Sequence, residues 1–223
     1  MNWWADWRKI DVVWMKIIKK YALSEETLEK DIDAFIRDAK DGQYHYDYKY
    51  GMEGLKTIKA YFCMIKDEFK KQNYAECQAC YKKILFFLLQ TEYNYLDYED
   101  IVGKLKFEEY VANYFTCMIK IFSVEELFRE YMEFLKAKED YDFESLHKTI
   151  LSGLPEEKLA EFKILAEKEA DNIKKNDYAF YDAVYFLLDL AKSKKDRNQY
   201  DMLCDKYAHI VDDWQKEEFD AED

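Results

Sequence analysis

The chain has 223 residues, of which 49% are apolar and 36% are charged. A chain of this length can bury a core without disulfides or metals, and its composition excludes both a disordered tail and a membrane protein. Glycine occurs five times and proline once, so the turn residues that β-rich folds need are scarce and long helices are predicted. The net charge of −13 disfavours direct binding of DNA or RNA, because an acidic protein repels the phosphate backbone.

Apolar residues recur every three or four positions from the N-terminus onward, a period that predicts amphipathic helices. Ser24 is the predicted N-cap of the second helix, with Glu25 and Glu26 in its first turn. Gly42 is its predicted end, and Asn73 marks the turn between the third and fourth helices. The first four apolar stripes are Trp3, Trp7, Ile10, Trp14, Ile17 and Tyr21; Leu28, Ile32, Phe35, Ile36 and Ala39; Ile58, Phe62, Ile65 and Phe69; and Cys77, Cys80, Ile84, Phe87 and Leu88.

The second half of the chain carries clearer start and stop signals. Ser123 and Glu126 fit a capping box, in which each side chain bonds the backbone N–H of the other residue. Gly153 breaks the chain after a short helix near Phe143–Leu151, and Pro155 is predicted for the first turn of the next helix. The remaining predicted helices carry Val111 to Phe122, Leu127 to Leu135, Leu159 to Ile173, Tyr178–Lys192 and Asp196–Lys216.

These patterns predict an all-α fold of about ten antiparallel helices. We expect a single domain, residues 1–223, with a weak boundary near 152–155. Five cysteines without framework spacing, the lack of an N-terminal apolar signal segment and the lack of any run of about 18 apolar residues indicate a cytoplasmic protein with reduced thiols and no membrane contact. The sequence leaves the oligomeric state open.

A basic pair, a polar turn and a tyrosine recur four times at irregular intervals, ending at Tyr74, Tyr141, Tyr178 and Tyr200. Each copy ends one predicted helix and begins the next. Lysines suit the negative C-terminal end of a helix, and Asn and Asp suit the turn that follows. The recurrence therefore indicates internal repetition of helix pairs.

The segment "KKQNYAECQACYKKI" from Lys70 to Ile84 resembles the turn and second helix of a tetratricopeptide-like repeat, although Ile84 stands where that family places a small residue. The segment "NDYAFYDAVYFLLDLAKSKKDRNQYDMLCDKYAHIVDDWQ" is similar to the helical region that accompanies SWIM-type zinc fingers in bacterial proteins, without their zinc-binding motif. The resemblance implies helix pairs packed as a tetratricopeptide-like α-α superhelix and a partner-binding surface. It implies no catalytic residue.

The residues that could carry chemistry are sparse. Cys77 and Cys80 form a lone CxxC on an apolar helix face, so two small core residues are favoured over a metal or redox pair, since zinc needs four ligands. The histidines His45, His147 and His209 show no metal-binding spacing, and His209 with Asp213 is interpreted as a surface pair. No GxSxG or glycine-rich phosphate loop is present. We therefore expect no catalytic, cofactor-binding or metal site and no cofactor.

The function expected from these observations is a non-catalytic helical-repeat module that mediates protein–protein interaction. The alternative is an acidic protein, phage- or defence-related, that mimics nucleic acid and inhibits a nucleic-acid-binding enzyme. Two acidic segments suggest it: Glu92–Glu109, with a net charge of −4, and Asp212–Asp223, with a net charge of −6. An enzyme built from scattered residues is the third hypothesis.

The candidate partner-binding residues fall in three segments. The N-terminal tryptophans form a helix that docks on the core, an interface helix or a membrane-surface helix. The stretch "QYHYDYKYGMEG", Gln43–Gly54, is interpreted as the entry to the third helix, with some tyrosines facing outward. The candidates are Trp3, Trp7, Trp14, Tyr46, Tyr50, Asp212, Asp213, Glu217 and Glu218.

Overall fold

A computed structural model describes residues 27–44, 48–89, 96, 101–138, 141–172, 181–212, 215–216 and 219. Within those residues every regular element is helical, which confirms the all-α prediction. The helices are α1 (Leu28–Lys40), α2 (Tyr48–Lys70), α3 (Tyr74–Leu89), the single turn α4 (Ile101–Lys104), α5 (Phe107–Ile121), α6 (Val124–Lys138), α7 (Glu144–Gly153), α8 (Glu156–Asp171), α9 (Tyr181–Ser193) and α10 (Arg197–Lys206). None of these described helices combines the length and the apolar character that spanning a bilayer requires.

The chain divides into two compact units, Met1–Met118 and Ile119–Asp223. The expectation of one domain with a weak boundary near 152–155 stays a prediction. Each unit is described separately below.

The first unit has an aromatic core between α1, α2, α3 and α5. Helices α1 and α2 each pack on α3. The predicted stripe of α1 is buried, and the Phe35 ring lies 5.3 Å from the ring of Tyr44, which is itself 2% exposed. On α2, Phe62 stacks on Tyr110 of α5 with ring centroids 3.7 Å apart. The tyrosine-rich stretch thus leads into α2, as predicted, with Tyr44 in the core.

The second unit is centred on α8 and α9. Helix α8 packs against α6 and α9, and α9 also contacts α7 and α10. The rings of Tyr131, Phe162 and Phe186 meet at the centre, with the Phe162 and Phe186 centroids 4.9 Å apart. Three side chains from three separate predicted helices therefore share one core.

Two predicted local signals are confirmed. The backbone N–H of Ser123 donates to Glu126 Oε2 at 3.0 Å, and the backbone N–H of Glu126 donates to Ser123 Oγ at 3.3 Å, which is the capping box at the start of α6. Gly42 ends α1 with φ = 83°. The N–H of Gln43 bonds the Asp38 carbonyl at 3.1 Å, so this end is a Schellman motif, in which glycine is favoured.

Three predicted helix limits are wrong. The N-cap of α1 is Thr27, so Ser24 does not begin this helix, and Glu29 and Asp31 replace Glu25 and Glu26 as its first-turn acids. Pro155 is the N-cap of α8 rather than a residue of its first turn.

The third wrong limit is the end of the last long helix. Helix α10 ends at Lys206 instead of Lys216, because a turn follows at Tyr207. That turn is held by tertiary bonds: Asp171 Oδ1 lies 2.6 Å from Lys206 Nζ and accepts from the Tyr207 hydroxyl at 2.8 Å. The spacing of apolar residues in the sequence does not predict these bonds.

Candidate binding cleft

An open cleft of about 720 Å³ lies in the second unit between α7 and α9, beside the C-terminal end of α6. Its volume falls in the range of protein ligand sites. Three lysines, four acidic residues and His147 line it together with the apolar side chains of Phe143, Leu146 and Leu151. Short helices bring these groups together because the buried faces of α7 and α9 leave their polar edges side by side.

His147 links α6, α7 and α9 at the floor of the cleft. Its Nδ1 lies 2.7 Å from Oδ2 of Asp189 on α9, and its Nε2 lies 2.9 Å from the hydroxyl of Tyr131 on α6. The Tyr131 hydroxyl also lies 3.2 Å from the backbone carbonyl oxygen of Asp182. Because a carboxylate can only accept, the hydrogen of the bond to Asp189 is on Nδ1. The side chains of His147 and Asp189 are 14% and 42% exposed, so solvent reaches this chain from the cleft.

Tyr131 is the inner end of this chain and is completely buried. Burial raises the pKa of its hydroxyl well above the usual value, and the negative charges of Asp182 and Asp189 raise it further. The hydroxyl therefore keeps its hydrogen. Since a substrate cannot reach a buried oxygen, the Tyr131–His147–Asp189 chain lacks the accessible nucleophile that a hydrolytic triad needs.

A buried ion pair forms the adjoining wall of the cleft. Lys138 Nζ lies 3.1 Å from Asp182 Oδ1 and donates to the backbone carbonyl oxygen of Tyr141 at 2.9 Å. The two charged side chains are only 7% and 18% exposed. Removing either charge leaves the other one desolvated, so the pair fixes the end of α6 against the start of α9.

No local spacing of residues in the sequence predicts the cluster of Tyr131, His147 and Asp189. His147 is 16 residues from Tyr131 and 42 residues from Asp189. The one usable signal is that His147 adjoins the buried stripe of Leu146 and Ile150 on a short helix, where a polar ring needs a partner. Spacing to other histidines gives no reason to single out His147, because its carboxylate partner Asp189 is distant in the sequence.

Two of the predicted partner-binding residues are among the described ones, and Asp212 does not line this cleft. Tyr50 lies in the first turn of α2, and only its backbone is described. Asp212 is exposed, and its backbone N–H donates to Gln215 Oε1 at 2.8 Å. The others, which stay predictions, lie outside the described residues: Trp3, Trp7, Trp14, Tyr46, Asp213, Glu217 and Glu218.

The CxxC pair lies in the core of the first unit, as predicted for two small buried residues. Cys77 and Cys80 are 1% and 0% exposed, and burial raises the pKa of their thiols to about 11 and about 12. The Cys77 thiol donates to the Ile65 carbonyl oxygen at 3.5 Å. In the part of the chain that the structure describes, no group of three or more His, Cys, Asp or Glu side chains could hold a metal ion.

Comparison with known proteins adds no relative: no protein-family model, curated protein or solved structure matches the chain. The resemblance to tetratricopeptide-like repeats stays a prediction. The functional proposal therefore rests on the fold and on the cleft.

Proposed function

We propose that the chain is a non-catalytic helical module that binds another protein, and that the cleft between α7 and α9 is its binding site. The observation that carries this proposal is the composition of the cleft. Apolar side chains and a buried ion pair line its walls, mutually bonded polar groups form its floor, and the exposed charged side chains of Asp142, Glu144 and Lys148 stand at its rim.

The charge density of the cleft favours a protein partner over a small molecule. Small-molecule sites are mostly apolar with few polar groups, whereas seven of the residues lining this cleft carry charge. Protein interfaces combine a desolvated centre with a polar rim whose charges steer the partner and fix its register. The buried Tyr131 hydroxyl supports binding rather than nucleophilic catalysis, because it is closed to a substrate.

Helix packing supports the repeat interpretation of the module. Helix α3 contacts α1 as well as α2, and α8 contacts α6 as well as α9. Contacts of a helix with its neighbour and its next-but-one neighbour are typical of stacked helical repeats, which form binding surfaces from successive elements.

Site-specific photo-crosslinking tests the proposal. A benzophenone amino acid replaces Lys148 at the rim of the cleft, and in a matched control it replaces Lys158, which is also exposed, on α8, but does not line the cleft. After irradiation in the source cells, we expect one discrete adduct from position 148 that is absent from position 158. The captured protein is then purified and its affinity measured by isothermal titration calorimetry.

Charge reversal completes the test with the purified partner. We expect Lys148→Glu to weaken binding about tenfold, or about 1.4 kcal/mol, and Lys158→Glu to leave it unchanged. If the two charge reversals weaken binding equally, the cleft is not the binding site. A different result would favour the alternative function, an inhibitor that mimics nucleic acid. In that case binding is lost only when the acidic residues Asp212–Asp223 are neutralised, and the partner is a nucleic-acid-binding enzyme.

A further inference from the structure

When His147 is neutral, two acceptors at the floor of the cleft compete for the hydrogen of the Tyr131 hydroxyl. In that state Nδ1–H donates to Asp189 and Nε2 is a bare acceptor. The single hydrogen of the Tyr131 hydroxyl then faces two acceptors, Nε2 of His147 at 2.9 Å and the Asp182 carbonyl oxygen at 3.2 Å. It can form a good bond with only one of them.

Addition of a proton to the imidazole removes this competition. The new Nε2–H donates to the Tyr131 oxygen, and the tyrosine hydrogen becomes available to the Asp182 carbonyl oxygen. We propose that His147 is a proton-controlled switch, in which a proton taken from solvent reverses the His147–Tyr131 bond and transfers the tyrosine hydrogen bond to the backbone of Asp182.

The surrounding core holds the Tyr131 ring in place, so its hydroxyl cannot move away from the two acceptors. The Tyr131 ring is held edge-on against Phe162 and Phe186, with centroid distances of 5.5 and 6.1 Å. Its raised pKa also keeps the hydroxyl protonated while the histidine changes state. The Tyr131 hydroxyl therefore keeps its one hydrogen, and its oxygen keeps its position, in both states of the histidine.

The output of the switch is the first turn of α9, which forms one wall of the cleft. Asp182 supplies the carbonyl oxygen that receives the tyrosine hydrogen, and its carboxylate holds Lys138 at the end of α6. Protonation of the solvent-accessible His147 ring thus acts on Asp182, the residue that joins α6 to α9. That this alters partner binding rests on the proposed function; the switch itself does not.

Other titratable groups lie around His147, in the cleft lining or in its hydrogen-bonded chain. Histidine is the side chain that ordinarily changes charge between about pH 5 and 8, whereas unperturbed carboxylates and amines titrate outside that range. Helix α8 contributes the apolar ring of Phe162, which packs on Tyr131, and the ring that packs on the imidazole is Phe186 of α9, with centroids 5.5 Å apart. The titratable groups are Tyr131 and Lys138 from α6, Asp182, Asp189 and Lys192 from α9, Glu144 and Lys148 from α7, and Asp142 from the loop before it.

NMR on the full chain tests the switch without a partner. The ¹³C′ signal of Asp182 and the ¹⁵N signal of Ala183 report the same peptide group, and the ring ¹⁵N signals of His147 report its protonation. On lowering the pH from about 8 to about 5, we expect all three to move together in the wild-type protein. In Tyr131→Phe we expect the Asp182 and Ala183 signals to lose most of their shift, whereas the ring signals of His147 keep theirs.

Two variants make the outcome decisive. Tyr131→Phe preserves the ring packing, and circular dichroism verifies that it folds. His209→Gln is the matched control, because His209 is an exposed histidine of the same unit outside the cleft, and we expect it to leave the response intact. The proposal is overturned if the Asp182 carbonyl follows the histidine equally well in Tyr131→Phe, if it does not respond in the wild-type protein, or if His209→Gln abolishes the response. Failure to find a partner leaves these measurements unaffected.

Discussion

Two completely buried tyrosines, Tyr81 in the first unit and Tyr131 in the second, have different surroundings. Burial raises the pKa of both hydroxyls. The Tyr81 oxygen accepts from the side-chain amide of Asn113 at 3.2 Å, within a core that contains Cys77 and other thiols. The Tyr131 oxygen instead meets an imidazole that opens onto a cleft.

The two hydrogen-bond partners differ in whether they can change protonation state. An amide has the same hydrogens at every physiological pH, so the Tyr81 bond is static. An imidazole can gain a hydrogen, so the Tyr131 bond can reverse. Both tyrosines are completely buried, so the identity and solvent access of the hydrogen-bond partner decide whether the tyrosine is purely structural.

Loss of the ion pair beside Tyr131 should destabilise the protein more than any other change proposed below. Lys138→Met keeps most of the side-chain volume but removes the cation that faces Asp182, so we expect a loss of about 3 kcal/mol in the free energy of unfolding. Urea denaturation measures the loss, and hydrogen exchange with mass spectrometry assigns it to α6 and α9. The matched control in the first unit is Lys66→Met, because the Lys66–Glu109 pair is 45% and 31% exposed, and we expect little change there. Similar losses in the two variants would contradict the contrast between the units.

The next effect separates the two tyrosines directly. Tyr81→Phe should cost about 1 kcal/mol regardless of pH, because it removes one neutral hydrogen bond. Tyr131→Phe should cost about 1 kcal/mol at neutral or higher pH and about 2 kcal/mol once His147 is protonated, since bonds to a charged group are stronger. Denaturation at several pH values measures both costs. A pH-independent cost for Tyr131→Phe would make the two tyrosines equivalent.

Local and distant determinants explain which features the sequence could predict. The capping box at Ser123 and the glycine end of α1 depend on residues within a few positions, so their residue types predict them. The end of α10 depends on Asp171, which lies 36 residues from Tyr207. The bond between His147 and Asp189 likewise spans 42 residues. Periodicity shows which face of each helix is buried, but it does not show which polar edges of two helices meet.

The recurrent basic-polar-tyrosine segments allow a finer comparison of the units. After α2, the N–H of Asn73 bonds the Glu68 carbonyl at 3.1 Å, and after α9 the N–H of Asp196 bonds the Ala191 carbonyl at 3.0 Å. Both turns are Schellman motifs, so two of the four predicted copies share a backbone conformation. Their side chains differ, because Asp196 Oδ1 accepts from the Gln199 N–H at 3.0 Å, whereas the Asn73 amide donates to Glu68 at 2.6 Å.

That difference predicts unequal effects of truncation to alanine. Asp196→Ala removes the N-cap of α10 and should cost about 1 kcal/mol. Asn73→Ala removes a bond on an exposed surface and should cost less. Thermal unfolding of the two variants measures the difference, and hydrogen exchange should show a loosened first turn only in α10. Equal costs would mean that the two turns use their polar residues alike.

The smallest expected effect is a gain that the two turns share. Gln72 and Lys195 occupy the left-handed region with φ of 66° and 53°, which side chains with a Cβ adopt only at a cost. Glycine removes that cost but has more freedom in the unfolded chain, so Gln72→Gly and Lys195→Gly should each stabilise by about 0.5 kcal/mol. Denaturant midpoints for both variants test this, with Gln72→Ala and Lys195→Ala as controls that keep the Cβ and should give no gain. Because the strain is in the backbone, the gain should be alike in both units, even though only one of them contains the cleft.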